Sequence, residues 1–150
     1  MDLPFSILVV DDSEFMRRVV SSLLKKCGFR QIIEAENAIE AIRLYNKYKP
    51  HLIILDLKMP KIDGFHVLKE VKKIDPTAKI LILTADAQES TIQMAKNNGA
   101  YACLAKPFGL DMLRDAIFNA LGENMNVQEV FGGNSKISDS RINGGILLGK

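Results

Sequence analysis

Short apolar runs alternate along the chain with longer segments in which apolar residues recur every three or four positions. Residues 7–10 and 52–55 are unbroken aliphatic runs, which are typical of parallel strands buried on both faces. Three further runs, 31–35, 78–83 and 101–105, are predicted to be strands of the same sheet. The 31–35 run is the least apolar of the five, as expected for a strand at a sheet edge.

Helical segments with capping or stop residues follow each of these runs. Ser13 is placed to cap a first helix that stops at Gly28, and Asn37 and Glu40 have the spacing of a capping box before a second helix. The remaining helices are predicted over 64–74, 87–98 and 110–121. Five strands alternating with five helices predict a parallel sheet that is covered on both faces.

Composition narrows the class of protein. A chain of 150 residues that is 47% hydrophobic suits a single domain. A net charge of +2 is too balanced to favour direct nucleic-acid binding. No signal sequence opens the chain and no stretch approaches the roughly 18 apolar residues of a membrane span, so we expect a cytoplasmic protein without membrane insertion. Cys27 and Cys103 have no metal-binding spacing and are expected to be reduced thiols.

Carboxylates end two of the predicted strands. Asp11 and Asp12 follow the first strand and Asp56 follows the third. Ligands of open α/β sheets bind at the carboxyl ends of the strands. Three acids gathered there repel one another and raise the pKa of at least one of them unless a cation neutralises them. The pattern therefore predicts a site for a divalent metal ion.

Two more strand ends carry polar groups. Thr84 ends the fourth strand, and Lys106 with Pro107 follows the fifth. The spacing leaves room for two strand–helix units between Asp11 and Asp56 and one unit between each later pair. A hydroxyl and an ammonium group are therefore expected beside the carboxylate cluster.

Taken together, these residues resemble the receiver domain of two-component response regulators of the chemotaxis type. The resemblance covers about residues 5–122 and is carried by Asp11-Asp12, Asp56, Asp63-Gly64, Thr84-Ala85 and Lys106-Pro107. It implies a flavodoxin-like, doubly wound sheet of five parallel strands in the order 2-1-3-4-5, with five helices.

The resemblance also implies a role for each site residue. Asp56 would accept a phosphoryl group from a sensor histidine kinase or a histidine phosphotransfer protein, with Mg²⁺ as the cofactor. The implied catalytic residues are Asp56, Thr84 and Lys106, the implied phosphoryl-binding amides are those of Leu57 and Ala85, and the implied metal ligands are Asp11, Asp12, Asp56 and the carbonyl of Lys58. The chain would catalyse only its own phosphorylation and dephosphorylation, so we do not expect an enzyme acting on a separate substrate.

Signalling would then change partner binding. The resemblance implies that the fourth helix, fifth strand and fifth helix contact a downstream target or a second copy of the chain. Lys58 and Asp86, two residues past Asp56 and Thr84, are expected to flank the phosphoryl group and to set its lifetime.

One position departs from the resemblance. Three residues before the lysine, where receivers usually carry Tyr or Phe as a switch, this chain has Cys103. Tyr101 lies two residues earlier and is expected on the same strand face. The switch candidates are therefore Thr84, Cys103 and Tyr101.

The chain divides into a receiver domain, 1–122, and a flexible tail or linker, 123–150, which is rich in glycine and asparagine. The alternative for the tail is a partner-docking segment built on 130–131 or 146–148.

Two other functions stay open at this point. The chain can be the receiver part of a larger regulator with a DNA-binding or enzymatic output domain. A Mg²⁺-dependent aspartyl-phosphate phosphohydrolase fits less well, because its nucleophile would follow the first strand and be followed two residues later by another Asp. Here Asp11 is followed by Asp12, Ser13 and Glu14.

Overall fold

The computed structural model describes residues 3–59, 62–122 and 146–148. The strands are β1 (Leu3–Val10), β2 (Phe29–Ala35), β3 (Leu52–Asp56), β4 (Ile80–Thr84), β5 (Ala102–Ala105) and β6 (Ile146–Leu148). The helices are α1 (Glu14–Lys26), α2 (Ala38–Tyr48), α3 (Gly64–Ile74), α4 (Glu89–Asn97) and α5 (Leu110–Gly122). No helix in the described ranges has both the length and the apolar character needed to cross a bilayer.

Within these residues the strands form one sheet in the order β2-β1-β3-β4-β5-β6. The first five strands are parallel, which confirms the predicted order 2-1-3-4-5 and places β2 at an edge. β6 is an addition that the sequence did not predict as a strand, and it pairs antiparallel with β5. The predicted domain boundary at 122 stays a prediction, and the 130–131 segment lies outside the described residues.

The sheet is covered on both faces because its strands are apolar on both faces. One face, packed against α1 and α5, includes Phe5, Ile7, Val9, Leu24 and Ile117. The opposite face, packed against α2, α3 and α4, includes Leu8, Val10, Leu44, Leu68 and Ala95. Each large aliphatic side chain that is fully buried in these layers contributes about 1.5–3 kcal/mol. The two layers hold the strand ends rigidly, which fixes the groups that follow them.

Polar side chains cap the starts of α1, α2 and α3. The side chain of Ser13 accepts a hydrogen bond from the Met16 amide, and that of Asn37 accepts one from the Glu40 amide. Asp63 caps α3 in the same way. These caps satisfy amides that a helix start leaves without partners.

Candidate functional site

Three carboxylates converge at the carboxyl ends of β1 and β3. These strands are neighbours in register, with Val10 opposite Leu55, so Asp11 and Asp12 lie beside Asp56. One oxygen from each of the three acids lies within 4.8 Å of the others. Asp11 and Asp56 are buried, whereas Asp12 is exposed. The structure therefore brings together the three acids that the sequence predicted to meet.

The charge of this cluster is poorly compensated by the protein alone. Burial raises the pKa of Asp56, Lys106 acts against that rise, and the neighbouring charges of Asp11 and Asp12 add to it. The amide of Lys58, which donates to Asp56 Oδ1 at 3.3 Å, favours the ionised form. Converging carboxylate oxygens are the ligands that Mg²⁺ prefers. The donor set present here fits that ion.

Lys106 reaches the cluster from the end of β5. Its Nζ lies 3.7 Å from Asp11 Oδ2 and 3.6 Å from Asp56 Oδ1. The Lys106 amide donates to the Thr84 carbonyl at 2.8 Å, which links the two loops. The Lys106–Pro107 peptide bond is cis, as the sequence allowed. The ammonium group thus lies between two of the three carboxylates.

Thr84, the last residue of β4, is 1% exposed. Its Oγ1 accepts a hydrogen bond from the Asp86 amide at 3.0 Å. Asp86 itself begins the loop that leads into α4. The hydroxyl therefore lies at the same sheet edge as Asp56 and bonds to the loop that follows it.

Comparisons with known proteins agree with this geometry. The family model described as "Response regulator receiver domain" matches residues 7–118. This chain belongs to the response regulator receiver family.

Individual relatives support the same conclusion. The receiver is 40% identical over 115 residues to the chemotaxis protein CheY of Bacillus subtilis, covering 77% of this chain and 96% of that one. It is 38% identical to sporulation initiation phosphotransferase F of the same species, covering 74% and 89%. Among solved structures, a receiver domain protein from Clostridium thermocellum has a TM-score of 0.76 and 31% identity, covering 80% and 96%. The CheX–CheY–BeF3–Mg complex from Borrelia burgdorferi matches with a TM-score of 0.75 and 26% identity, covering 78% and 89%.

The receiver's β3–α3 loop depends on a close backbone approach at Gly64. The Gly64 amide donates to the Leu57 carbonyl at 2.8 Å. A Cβ at Gly64 would lie 2.5 Å from the Asp56 carbonyl oxygen and 2.7 Å from the Leu57 Cα. The sequence marks Gly64 as part of a motif. Only the structure shows that the absence of a side chain at Gly64 lets α3 begin against the backbone of Asp56, the candidate phosphoacceptor.

The structure places the switch candidates Cys103 and Tyr101 in different layers. Cys103 is buried in the layer formed with α2, α3 and α4, and burial raises the pKa of its thiol to about 11. Tyr101 precedes the strand, packs against the opposite layer, and donates through its hydroxyl to the Asn119 carbonyl at 3.1 Å. This corrects the expectation that Tyr101 shares the face of Cys103. The physical reason is that β5 begins at Ala102, so the strand alternation does not extend to Tyr101.

Asp86 also lies differently from the expectation. Its carboxylate accepts from the Gln88 amide at 3.0 Å and from the Thr91 hydroxyl at 2.8 Å. These bonds turn it toward α4, whereas the sequence suggested a position over the phosphoryl group. Lys58 lowers the pKa of Asp86 only as the last of several causes, after the Gln88 amide and the Thr91 hydroxyl. Lys58 and Asp86, the two residues predicted to tune the lifetime, therefore interact through a weak electrostatic attraction.

A cavity of about 500 Å³ opens beside the site, between the β3–α3 loop and α4. It is lined by Leu57, Lys58, Met59, Asp63, Phe65, Thr84, Asp86 and Thr91. Met59, Phe65 and Thr91 were not candidates from the sequence. Their side chains are uncharged and form no recognisable binding motif in the sequence. They line the cavity because the β3–α3 loop and the first turns of α3 and α4 lie beside the site.

Proposed function

We propose that this receiver accepts a phosphoryl group on Asp56 from a sensor histidine kinase or a histidine phosphotransfer protein, and that phosphorylation changes partner binding. The observation that carries the proposal is the placement of the Asp56 carboxylate. It lies within 4.8 Å of oxygens from Asp11 and Asp12, and 3.6 Å from the ammonium group of Lys106. One nucleophile is thus surrounded by groups that can hold a cation and by a fixed positive charge.

Transfer needs a nucleophile, compensation of charge and alignment. A carboxylate oxygen of Asp56 attacks phosphorus, and the bond from phosphorus to the donor's imidazole nitrogen breaks, giving an acyl phosphate. Lys106 pairs with a phosphoryl oxygen, and the Thr84 hydroxyl and the amides of Leu57 and Ala85 bind the others. The rate then comes mainly from positioning and charge compensation, because the donor supplies the energy of the bond.

Four groups would hold Mg²⁺ in this proposal: the carboxylates of Asp11, Asp12 and Asp56 and the carbonyl of Lys58. When bound, the ion supplies positive charge that offsets the charge on the transferring group. An exposed Asp12 beside buried Asp11 and Asp56 leaves part of the cluster open to water, and Mg²⁺ usually retains several water ligands. The structure of the Borrelia relative is a complex with BeF3 and Mg, which supports this proposal.

The experiment that tests the proposal uses the chain with MgCl₂ and acetyl phosphate, followed by peptide mass spectrometry. We expect one added phosphoryl group, on Asp56, and none when EDTA replaces Mg²⁺. Modification at another residue, or uptake that is equal without a divalent ion, would overturn the assignment.

The same site also suits the receiver part of a larger regulator. The chain is 35% identical to the transcriptional regulatory protein PdtaR of Mycobacterium tuberculosis and covers 56% of its length. This observation favours the larger regulator as the second candidate, with the same chemistry at Asp56. Membership of the receiver family and an acceptor candidate on β3 argue against the phosphohydrolase.

The proposed partner surface consists of α4, β5 and α5. Its polar and charged residues are Gln88, Gln93, Lys96, Asn97, Tyr101, Asp111, Arg114 and Asp115. Met94, 49% exposed, adds an apolar group. A mixed surface of this kind suits a reversible contact with a target or a second copy better than an obligate dimer. β6 occupies the outer edge of β5, so part of this surface already contacts a segment of the same chain.

We expect phosphorylation to alter this surface. Amide chemical shifts recorded with Mg²⁺, before and after addition of beryllofluoride, should change in α4 and β5 as well as at the site. Changes confined to residues 5–60 would contradict the choice of surface.

A further prediction concerns the lifetime of phospho-Asp56. Lys58 and Asp86 lie on the two loops that border the site, where a hydrolytic water must approach in line. We expect the double variant Lys58→Ala, Asp86→Ala to lose radiolabelled phosphate several-fold faster. Both side chains line the cavity beside the site, so shortening them widens the path for water, and a barrier lowered by about 1.4 kcal/mol raises the rate tenfold. Mg²⁺ affinity should change little. An equal or longer lifetime would show that these side chains do not guard the phosphoryl group.

A further inference from the structure

One residue, Asp86, connects the site to the start of α4. Its amide donates to Thr84 Oγ1 at 3.0 Å. Its carboxylate accepts from the Gln88 amide through Oδ1 and from the Thr91 hydroxyl through Oδ2, at 3.0 Å and 2.8 Å. Asp86 therefore bonds to Thr84 through its backbone and to the first turn of α4 through its side chain. We name this arrangement the Asp86 clamp: Thr84, Asp86, Gln88 and Thr91.

α4 depends on this clamp because its own cap residue does not cap it. Gln88 is the N-cap residue, and within the described part of the chain its side chain makes no capping hydrogen bond. The first amides of a helix have no partners inside the helix. Asp86 satisfies one of them from outside and adds a side-chain bond to Thr91. The Gln88 amide and the Thr91 hydroxyl hold the pKa of Asp86 below its ordinary value, so the carboxylate is ionised at neutral pH.

The clamp in its present form depends on the orientation of the Thr84 hydroxyl. Thr84 Oγ1 accepts from the Asp86 amide and faces the Asp86 carbonyl oxygen at 3.4 Å. If Thr84 donates to a phosphoryl oxygen on Asp56, its hydrogen turns away from that carbonyl and its oxygen moves toward Asp56. The Asp86 carbonyl then loses the bond from the Thr84 hydroxyl, and the Asp86 amide must follow the displaced Oγ1 or lose its bond as well.

The usual aromatic route for such a signal is missing in this receiver. Cys103 has no ring to follow the movement of Thr84, and it is buried at 5% exposure. Tyr101 is held against α5 through the Asn119 carbonyl. The hydrogen bonds of Asp86 provide a direct connection from Thr84 to α4 that needs no aromatic side chain.

We propose that Asp86 is the positioning residue that transmits phosphorylation of Asp56 from Thr84 to α4, through the hydrogen bonds of the Asp86 clamp. The inference rests on the proposed phosphorylation of Asp56. α4 is then the element that responds first, and Thr91 is the residue of α4 that receives the signal.

The test compares two groups of amides in the same spectra. The whole chain is titrated with beryllofluoride in the presence of Mg²⁺, and the Leu57 amide reports occupancy of the site while the amides of 89–97 report α4. In Thr91→Val, which keeps the shape and removes the hydroxyl, we expect the Leu57 response to persist. We expect the chemical-shift response of α4 to fall by about threefold or more. Without the Thr91 hydroxyl, α4 loses its bond to the Asp86 carboxylate and no longer shifts together with Thr84. Thr91→Ser, which retains the hydroxyl, should restore it.

Two controls separate the clamp from a general disturbance of α4. Ser90→Ala removes an exposed hydroxyl from the same turn and should leave the α4 response intact. Asp86→Ala should lose the α4 response as Thr91→Val does, whereas its control Glu89→Ala should keep it. This second pair tests the clamp independently if Thr91→Val already alters α4 before beryllofluoride is added. A full α4 response in both Thr91→Val and Asp86→Ala would overturn the inference. No response of Leu57 in the unmodified chain would instead overturn the proposed function, and this inference with it.

Discussion

The Asp56→Asn protein is expected to form no acyl phosphate from acetyl phosphate and Mg²⁺ under conditions in which the unmodified chain is labelled. An amide oxygen is a far weaker nucleophile than a carboxylate. Asp56 ends β3, which pairs directly with β4, the strand that ends in Thr84. Asp11 is as near to Lys106, at 3.7 Å, but it follows β1 and bonds to the Ser13 amide through Oδ1. The measurement is intact mass together with peptide mapping.

The same variant should change how Mg²⁺ affects stability. At neutral pH the buried carboxylate of Asp56 lies beside Asp11 and Asp12, so removing its charge relieves repulsion in the metal-free protein. We therefore expect a higher melting temperature for Asp56→Asn without metal. In the unmodified chain, Mg²⁺ at about 100 times its Kd stabilises by about 2.7 kcal/mol, which raises the melting temperature by roughly 5–10 °C. In the variant most of that increase should disappear.

Glu70→Gln provides the control for this experiment. Glu70 is a carboxylate on α3 that pairs with Lys73 at 3.1 Å, a partly exposed contact worth about 0–1 kcal/mol. Labelling and the Mg²⁺ effect should both be unchanged in it. Labelling of Asp56→Asn at the level of Glu70→Gln would show that another residue accepts the phosphoryl group.

The sheet and the acid cluster follow from the sequence because both depend on strong, local patterns. Aliphatic runs that end in acids place Asp11 and Asp56 at strand ends, and parallel strands bring those ends to one edge. The predicted caps at Ser13 and Asn37 are confirmed for the same reason, since a cap is a contact over three residues. Lys106 reaches the cluster because β5 ends directly before it.

The orientations of single side chains did not follow from the sequence. Tyr101 differs from Cys103 because β5 begins one residue later than the apolar run suggests, and Asp86 turns toward α4 because Thr91 offers it a hydroxyl. β1 extends back to Leu3 across Pro4, which interrupts the apolar pattern but lies exposed where the pairing with β2 shifts register. Each of these depends on a contact between separate elements, which periodicity alone does not contain.

The second large effect is expected for Gly64→Ala. The new Cβ would lie 2.5 Å from the Asp56 carbonyl oxygen and 2.7 Å from the Leu57 Cα, and both are backbone atoms that cannot rotate away. Either α3 or the β3–α3 loop must move. Overpacking of this kind costs about 2–3 kcal/mol, which lowers the melting temperature by roughly 4–12 °C.

Function should fall together with stability in this variant. The displaced atoms belong to Asp56 and to Leu57, whose amide is a proposed phosphoryl ligand, so misalignment worth about 1.4 kcal/mol slows labelling tenfold. Gly109→Ala is the matched control, since a Cβ there has nothing within 4 Å and its stability should change by no more than about 0.5 kcal/mol. Thermal melts and initial rates of labelling below the melting range measure the two effects separately. If Gly64→Ala melted and labelled like Gly109→Ala, the close approach of α3 to Asp56 would not constrain the site.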